Sequence, residues 1–563
     1  MKVYRAIALL TLLALLSPLF AQQTTAPNGE GAARRARLSK SNEIAEVEQS
    51  FAEALSLVEA NYVDGARLNY NNLIKSSIIG MLRSLDPHSN YYDRKEFEEL
   101  RNDQRSEYFG IGASIVDRRV GDQVDTYILA TFENSPAALA GLRFGDRIVA
   151  VDGQPMHGRP SAEVRDRIRG PRGTVVKLTV ERAATGRIET VEITRDAVPQ
   201  PSVPDAYVIR PGVGYIDMTR GFNVTTADEL EEALEKLHQR GVTGLILDLR
   251  NNPGGFLDQA IRVAEKFLSD GQVILTQKGR NFTADRTYRA TNGSPDTTPL
   301  VILINRGTAS ASEIVAGAMQ DHDRALIVGE NSFGKGLVQS IIPLDYGAGL
   351  TLTSAKYYTP SGRLIQRDYT NSSYYDYITR GGVGNQDEET TINQTPTGPE
   401  SHTDTGRPVY GGGGIMPDEL VKPRLIKPEQ QRLIDPIFAF VRELVNGRIA
   451  GFESYKVQRP IEYDHELQPT DFPVTDALYE AFKSFVNKSP AYKNLSTLVD
   501  ANQDFVRRQL RYDIITAAYG TVTATRVYIL DDPQVLKAIE LLPRARELAM
   551  AARNRTPRQK SFE

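Results

Sequence analysis

Cysteine is absent from the 563-residue sequence. Its absence excludes disulfide bonds, a cysteine nucleophile, a thiolate metal site and lipidation on cysteine. No apolar run approaches the roughly 20 residues that a membrane-spanning helix needs, so we expect no stable membrane insertion. Acidic residues outnumber basic ones, 71 to 67, which makes nucleic acid a poor candidate partner. We expect neither a metal ion nor any other cofactor.

The first 21 residues have the layout of a secretory signal peptide. Lys2 and Arg5 precede an apolar stretch over 6–16, and the small residue Ala21 closes the segment. An uncleaved N-terminal anchor is the alternative interpretation of the same pattern. The signal-peptide interpretation predicts secretion through the inner membrane to a periplasmic or extracytoplasmic location.

Composition and hydrophobic periodicity predict an α/β multidomain protein. Helical spacing marks both ends of the mature chain, short β-type runs follow the first helical part, and strands then alternate with helices from about residue 212. A stretch rich in Gly, Thr, Asn and Asp interrupts the alternation and predicts a flexible insertion. The predicted segments are a signal peptide (1–21), a flexible linker (22–42), an N-terminal helical region (43–106), a β-rich domain (107–198), a core (199–428) containing the flexible insertion (369–414), and a helical C-terminal domain (429–555).

Ser310 is a candidate nucleophile because it stands between an apolar strand and a helix of small residues, in the stretch NRGTASASE over 305–313. The N-terminus of a helix offers unpaired N–H groups and positive potential, which stabilise an alkoxide and the oxyanion that forms after attack on a carbonyl. The ordinary alternative is that Ser310 only caps the helix, as most serines in this position do.

Lys335 is a candidate general base. It follows a glycine-bounded turn and enters an apolar strand, where alternation places Gln339 on the same face. A lysine of ordinary pKa must lose about 3 pKa units to be neutral near pH 7, and burial can supply that shift. A phosphate-binding loop is the alternative for Gly-Lys-Gly, but the residues of that motif are missing.

Two other stretches are informative. In LDLRNNPGG, residues 247–255, a buried-type strand ends in a glycine-rich turn that can direct backbone N–H groups at an anion, although such turns are also common without function. The stretch SPAALAGLRFGDRIVAVDG, residues 135–153, together with Phe109-Gly-Ile-Gly112, resembles a PDZ domain.

Taken together, these stretches resemble the carboxy-terminal processing peptidases, also called tail-specific proteases. The resemblance runs from about Asn61 to Lys422. Further matching motifs are SLDPHS (84–89), IRGPRGT (168–174), YTPSG (358–362) and GIMPD (414–418). The resemblance implies a crotonase-like α/β peptidase core with an inserted PDZ-like domain, and a serine endopeptidase that cleaves proteins near or from their C-termini. The helical C-terminal domain and the insertion lie outside it or depart from it.

The resemblance also implies roles for individual residues. Ser310 and Lys335 correspond to the catalytic dyad, Gln339 to the residue that orients the base, and the backbone N–H groups of Ala311 and Gly255 to the oxyanion site. Gly254 is the alternative to Gly255.

In the PDZ-like domain the resemblance implies that a peptide tail adds as a strand and that its carboxylate binds near Phe109, Gly110, Ile111 and Gly112. Arg169 is expected to report occupancy of the domain to the active site. Ile111 and its apolar neighbours predict substrates with apolar C-terminal residues.

Several alternatives remain at this stage. Glu313 lies one helical turn after Ser310 and is either a site residue or a glutamate placed by the helix dipole. Thr308 and Ser312 are rival nucleophiles. His322 could serve a Ser-His-Asp site, although its charged surroundings predict solvent exposure. A non-catalytic PDZ scaffold is a further possibility, and the protein could form a homo-oligomer.

Overall fold

The structure, a computed structural model, describes residues 29–103, 107–120, 123–280, 285–370, 377, 398–457 and 460–554. The predicted signal peptide lies outside the described residues. The chain divides into two compact units, one ending at Ser77 and the other starting at Ile78. No helix in the described ranges is both long and apolar enough to cross a membrane.

The N-terminal part is helical, as its periodicity predicts. Its elements are α1 (Gly29–Asn61), α2 (Tyr70–Arg83), β1 (Asn90–Tyr92) and α3 (Arg94–Asp103). Helix α1 begins inside the stretch 22–42, so the prediction of a flexible linker is wrong for residues 29–42. The reason is local: residues 32–38 are mostly Ala, Arg and Leu, which are strong helix formers.

The PDZ-like region forms a β-sheet with two short helices. Its elements are β2 (Glu107–Gly110), β3 (Ala113–Val120), β4 (Gln123–Thr131), α4 (Pro136–Leu139), β5 (Arg147–Val151), β6 (Gln154–Pro155), α5 (Ser161–Ile168), β7 (Val175–Glu181), β8 (Ile188–Thr194) and β9 (Asp196–Pro199). The strand order is β3–β4–β5–β7–β8, and β2 pairs with β9. Strand β3 therefore lies at the edge of the sheet.

A largely parallel sheet lies at the centre of the α/β core. Its strands are β10 (Asp205–Arg210), β11 (Val213–Asp217), β12 (Gly244–Asp248), β15 (Leu300–Ile304), β16 (Ala325–Gly329) and β21 (Glu419–Leu420), side by side in that order. Only the β10–β11 pair is antiparallel among these described strands. Strands β12, β15 and β16 are buried along their whole length because both faces of the sheet are covered.

Helices cover the two faces of this sheet. On one face lie α6 (Thr226–Gln239), α7 (Leu257–Glu265) and α8 (Ala311–Asp321), and on the other lies α14 (Pro533–Arg553). Side chains alternate along each strand: in β12, Leu245 and Leu247 pack with the first group, and Ile246 packs with α14. The strand–helix alternation predicted from the sequence is therefore present.

A second, antiparallel sheet contains the strand that follows Lys335. It contains β1, β13 (Val273–Gly279), β14 (Arg286–Arg289), β17 (Leu337–Pro343) and β18 (Gly349–Tyr358). Strand β18 pairs with β1, β13 and β17, and Leu337 lies opposite Lys356 in the β17–β18 register. This register brings the end of β18 beside the loop that precedes β17.

Part of the predicted flexible insertion is folded. Residues 398–414 contain a hairpin of β19 (Glu400–His402) and β20 (Pro408–Tyr410). Arg407 pairs with Asp323, at 2.6 Å, and with Asp418, which anchors the hairpin beside the end of α8. The prediction of flexibility is wrong for 398–414, because glycine-rich composition did not reveal these long-range ion pairs.

The C-terminal region is helical, as predicted, and packs on the PDZ-like region and on the sheet of the α/β core. Its helices are α9 (Pro428–Gln431), α10 (Ile434–Leu444), α11 (Asp476–Lys488), α12 (Ser496–Ala501), α13 (Gln503–Ile529) and α14. Tyr127 and Phe144 of the PDZ-like region share a hydrophobic cluster with α10 to α13. Arg442 Nε donates to the carbonyl of Gly145 at 2.8 Å, and Tyr492 Oη donates to the carbonyl of Arg119 at 2.7 Å.

Candidate active site

Ser310 lies between β15 and the first turn of α8. Its backbone angles, φ 56° and ψ −115°, are rare for a residue with a side chain. Such a conformation costs of order 1–3 kcal/mol and persists only where the surroundings enforce it. The turn before it is held by Thr308, whose N–H donates to the carbonyl of Asn305 while Asn305 N–H donates to Thr308 Oγ1.

The glycine-rich turn after β12 approaches Ser310 closely. A Cβ at Gly254 would lie 2.8 Å from the Cβ of Ser310, and a Cβ at Gly255 would lie 1.9 Å from the carbonyl oxygen of Phe222. Both residues also have positive φ, 91° and 151°. Glycine is therefore required at both positions, by space and by conformation.

The backbone N–H groups around Ser310 differ in their availability. The N–H of Gly254 donates to Asn252 Oδ1 at 2.9 Å. Within the described residues, the N–H groups of Gly255 and Ala311 donate to no protein acceptor. Of the two glycines that the sequence leaves open, Gly255 is thus the one with a free donor.

Lys335 and Gln339 are in direct contact. Lys335 Nζ donates to Gln339 Oε1 at 2.8 Å, and Gln339 Nε2 donates to the carbonyl of His88. Within the described residues, Nζ forms no hydrogen bond with Ser310 Oγ. Burial lowers the pKa of Lys335, although the nearby carboxylates of Glu313 and Asp86 oppose the shift. The structure therefore moves this lysine in the direction that a general base requires.

Glu313 is fully buried and connects the serine helix to the lysine loop. Its Oε2 accepts the N–H groups of Ser310 and Lys335, both at 2.8 Å, and its Oε1 accepts the N–H of Gly334 at 2.7 Å and the hydroxyl of Ser332. Burial raises the pKa of Glu313 even though these hydrogen bonds favour its charged form. Glu313 therefore does not only complement the helix dipole: its carboxylate also joins the Ser310 and Lys335 segments.

Tyr357 makes a second bridge between the same two segments. Its buried hydroxyl lies 2.8 Å from the carbonyl oxygen of Lys335 and 3.1 Å from that of Ser310. No motif in the sequence marks Tyr357 as part of the site. Tyr357 reaches the site because β18 pairs with β17, and a single sequence does not reveal that pairing.

The SLDPHS motif borders the site, which the sequence resemblance located without assigning roles. Asp86 accepts the N–H groups of His88 and Ser89, both at 2.8 Å, and so closes the turn of this loop. The His88 ring lies 2.9 Å from the hydroxyl of Tyr377. Burial, together with the positive charge of Lys335, lowers the pKa of His88 to about 4. His88 is therefore neutral at physiological pH, and its carbonyl holds Gln339.

The rival residues have other partners. Thr308 Oγ1 donates to the carbonyl of Leu249 at 2.8 Å, and Ser312 Oγ donates to that of Asn252 at 3.2 Å, and both side chains are buried. His322 is also buried, with a side chain 9% exposed, so the prediction of solvent exposure is wrong.

Both ring nitrogens of His322 are occupied. Nδ1 lies 2.7 Å from the Asp404 carboxylate, and Nε2 lies 2.7 Å from the carbonyl of Val273. Burial alone would lower the pKa of His322, but the contact with Asp404 raises it. The sequence could not show this because Asp404 lies 82 residues further along the chain.

In the PDZ-like region the predicted carboxylate loop connects β2 to β3. Ile111 is buried in the region's core, and Gly112 has φ 73° with no room for a Cβ against Ser135. Arg169 follows α5, and its guanidinium lies 4.8 Å from the ring centre of Tyr108. Arg169 thus lies beside the loop. No cluster of His, Cys, Asp and Glu suited to a metal ion occurs in the part of the chain that is described.

Family models match two parts of the chain. The model "Peptidase family S41" matches residues 212–372, which include Ser310, Lys335 and Gln339, and the model "PDZ domain" matches residues 132–182, which include Arg169. The fold and these matches define a PDZ-containing peptidase of the serine type. A PDZ domain in such an enzyme implies that it binds peptide substrates.

Relatives give the family. A carboxy-terminal-processing protease of Bartonella bacilliformis is 40% identical over 299 residues, 52% of this chain and 67% of that protein. The carboxy-terminal processing protease CtpA of Bacillus subtilis is 35% identical over 298 residues, 53% of this chain and 62% of that protein. Among solved structures, the photosystem II D1 C-terminal processing protease is 31% identical, with a TM-score of 0.32, over 55% of this chain and 88% of that one.

The chain therefore belongs to peptidase family S41, the family of the carboxy-terminal processing proteases. This confirms the resemblance found in the sequence and the predicted α/β fold class with a crotonase-like core and a PDZ domain. The matches span about two thirds of the length of these relatives and about half of this chain.

Proposed function

We propose that Ser310 and Lys335 form the catalytic dyad of an endopeptidase that cleaves proteins near or from their C-termini. Ser310 Oγ attacks the scissile carbonyl and transfers its proton to the neutral amine of Lys335. Gln339 accepts a hydrogen bond from Nζ and so directs the lysine lone pair. The resulting lysinium returns the proton to the leaving amine, and water then hydrolyses the acyl-enzyme.

The oxyanion of the tetrahedral intermediate binds to the N–H groups of Ala311 and Gly255. Two features support this assignment: both groups lack a protein acceptor within the described residues, and one of them begins α8, where the helix dipole is positive. Removing a single oxyanion donor typically costs a factor of about 10²–10³ in kcat, so these two groups carry a large share of the rate.

One observation carries the proposal. Ser310 and Lys335 are 25 residues apart in the chain, yet their backbones are bonded to the same carboxylate of Glu313 and the same hydroxyl of Tyr357. If Ser310 were only a helix cap, nothing would require a partly buried lysine of lowered pKa to be bound to the same Glu313 carboxylate. The arrangement fits a nucleophile and its base held in one frame.

The experiment is turnover of peptides with defined C-termini by Ser310→Ala and Lys335→Arg, with Ser312→Ala as the matched control. Arginine keeps the charge but cannot deprotonate, so we expect both dyad variants to be inactive and folded, and the control to be active. A fluorophosphonate probe should label Ser310 alone. Normal turnover by Ser310→Ala would overturn the dyad, and folded but uniformly inactive wild-type protein would favour the PDZ scaffold.

We propose further that the PDZ domain binds an apolar substrate tail with its carboxylate at residues 109–112. Arg169 is the residue that would sense the tail, because it lies against Tyr108 beside this loop. Amidation of the substrate's C-terminus should lower kcat/KM, since it removes the charge that backbone amides bind. Arg169→Ala should reduce the dependence on the tail, and Arg172→Ala, which alters an exposed pair with Asp196, should not.

For the whole chain we propose the domain division predicted from the sequence, with the linker and insertion corrected as above. Separate hydrophobic clusters in the PDZ domain and in the core support it. Export through a cleaved signal peptide and homo-oligomerisation are part of the same proposal. Mass spectrometry of the mature N-terminus, expected near Gln22, and light scattering test these two points.

A further inference from the structure

Two residues at the start of α14, in the C-terminal helical domain, contact the active-site core. Asp532 Oδ2 and Gln534 Oε1 both accept hydrogen bonds from Arg250 Nη1, at 2.9 and 2.8 Å. Gln534 is fully buried and Arg250 is nearly so. A buried guanidinium must find acceptors for its N–H groups, and the C-terminal domain supplies these two.

The rest of the Arg250 side chain is held by the core. Its Nε and Nη2 donate to the carboxylate of Asp248, at distances of 2.6 to 3.0 Å, and Tyr215 Oη donates to the same carboxylate at 2.7 Å. Arg250 is thus fixed between the end of β12 and the C-terminal domain. Its backbone begins the glycine-rich turn.

The next residues of this turn contact the nucleophile segment. The carbonyl of Asn252 accepts the N–H of Ala309 at 2.9 Å and the hydroxyl of Ser312 at 3.2 Å, and the Asn252 side chain accepts the N–H of Gly254. Gly254 lies directly against Ser310. A displacement of Arg250 would therefore move the turn that carries Gly255 relative to Ser310.

We propose that Asp532 and Gln534 are positioning residues, through which the C-terminal domain holds the oxyanion turn in its productive geometry. The proposal rests on the function proposed above, because it assigns the Gly255 N–H to the oxyanion. A misplacement of about 1 Å can cost a factor of about 10² in rate, so a relaxed turn lowers the rate without removing any reacting group. The C-terminal domain then completes the active site as well as packing on the PDZ domain.

Asp532→Asn is the sharpest test because it separates two roles of one side chain. Asp532 Oδ1 caps α14 by accepting the N–H groups of Gln534 and Val535, at 2.8 and 3.1 Å, and asparagine is an equally good cap. With Oδ1 still capping the helix, the NH₂ group of asparagine takes the place of Oδ2, so the substitution removes the acceptor and the negative charge that face Arg250 Nη1. Gln534 is left unchanged, because its Nε2 also donates to the carbonyl of Val421 at 2.8 Å.

The measurements are kcat, KM and the affinity for a peptide boronate, whose adduct on Ser310 places an oxygen in the oxyanion site. For Asp532→Asn we expect kcat and boronate affinity to fall together by about tenfold, with KM changed less than about twofold. The affinity for a free tail peptide should not change.

Asp205→Asn is the matched control. Asp205 pairs with Arg526 of the same C-terminal domain, at 2.7 and 2.8 Å, but touches neither Arg250 nor the turn. It should keep kcat within about twofold of wild type. The inference is overturned if Asp532→Asn has wild-type kcat and boronate affinity, or if Asp205→Asn loses as much. Ser310→Ala in the same assay tests the proposed function separately, since its activity would refute the dyad alone.

Discussion

The backbone N–H groups of Ser310 and Lys335 donate to one oxygen atom, Oε2 of Glu313, each at 2.8 Å. A single carboxylate thus fixes the start of α8 relative to the loop before β17. Hydrogen bonds to a charged acceptor are about twice as strong as those between neutral groups. The nucleophile and its proposed base are therefore held by an interaction that neither side chain takes part in, and their hydroxyl and amine remain available for reaction.

Glu313→Gln should damage both stability and activity. Glutamine has nearly the same shape, but its NH₂ group must face N–H or O–H donors at one of the two oxygen positions. A buried donor left without an acceptor costs about 1–3 kcal/mol, and we expect the free energy of unfolding to fall by that amount. We expect kcat to fall at least about tenfold, because the frame loosens.

Urea denaturation and steady-state kinetics check this prediction. Glu330→Gln is the control, since the one ion pair of Glu330 among the described residues is a loose one with Arg306, at 3.7 Å. A Glu313→Gln enzyme with unchanged stability and unchanged kcat would show that the bridge is dispensable.

Tyr357→Phe should lower kcat while preserving the core. The variant keeps the ring and removes the hydroxyl that lies between the carbonyl oxygens of Ser310 and Lys335. We expect a loss of about 1 kcal/mol in stability, the net value of one hydrogen bond, and about a tenfold loss in kcat. Tyr358→Phe, on the next residue of β18, should have neither effect. Equal kcat values for the two variants would contradict the positioning role.

The proposed dyad was predicted from motifs that resemble those of the family, because local patterns alone left other interpretations open. Ser310 lies between a buried strand and a helix, and Lys335 lies in the loop before β17, four residues before Gln339 of that strand. Tyr357 and His88 could not be predicted, since their contacts with the site depend on strand pairing and on a loop 251 residues before Gln339. Tertiary register of this kind leaves no periodic signal in one sequence.

Two of the wrong predictions, on His322 and on residues 398–414, have the same origin. Charged neighbours made His322 look exposed, but its ring is buried and pairs with the half-exposed carboxylate of Asp404, which lies in the β19–β20 hairpin. That hairpin was itself expected to be flexible from its glycine and threonine content. In each case a long-range ion pair decided the outcome against local composition.

Asp513→Asn should stabilise the protein at alkaline pH. Burial raises the pKa of Asp513 in α13 from 3.8 to about 7, and among the described residues its Oδ2 has no hydrogen-bond partner. Between these two values the folded state binds more protons than the unfolded state, so stability falls as pH rises and the loss is complete above about 7. Asparagine carries no charge and escapes this loss.

Denaturation at pH 4 and pH 8 measures the effect. The stability gained by Asp513→Asn should be larger at pH 8 than at pH 4 by about 2–4 kcal/mol, which corresponds to the shift of about 3 pKa units. Asp504→Asn, at an exposed position on the same helix, should give no such difference. A gain that is independent of pH would mean that Asp513 does not titrate in this range.

Gln339→Glu should move the pH dependence of catalysis upward. Because Lys335 must be neutral to accept the Ser310 proton, kcat/KM rises with pH through the lysine pKa, which burial lowers. A carboxylate at the position of Gln339 Oε1, 2.8 Å from Nζ, stabilises the ammonium and raises that pKa. We expect the rising part of the kcat/KM profile to shift upward by at least about one pH unit. At neutral pH, kcat/KM should fall more than about tenfold, and part of this loss should be recovered at higher pH.

The matched variant is Gln339→Ala, which removes the orienting amide without adding charge. It should lower kcat/KM, but the pH at which kcat/KM rises should be no higher than in the wild type, since the lysine gains no new partner. His88, with a pKa of about 4, should cause no change in kcat/KM near pH 6.5 in any variant. If Gln339→Glu kept the wild-type pH profile, Lys335 would not be the titrating base. In that case Lys335→Arg would remain active, and its pH profile would give the pKa of the group that does act as the base.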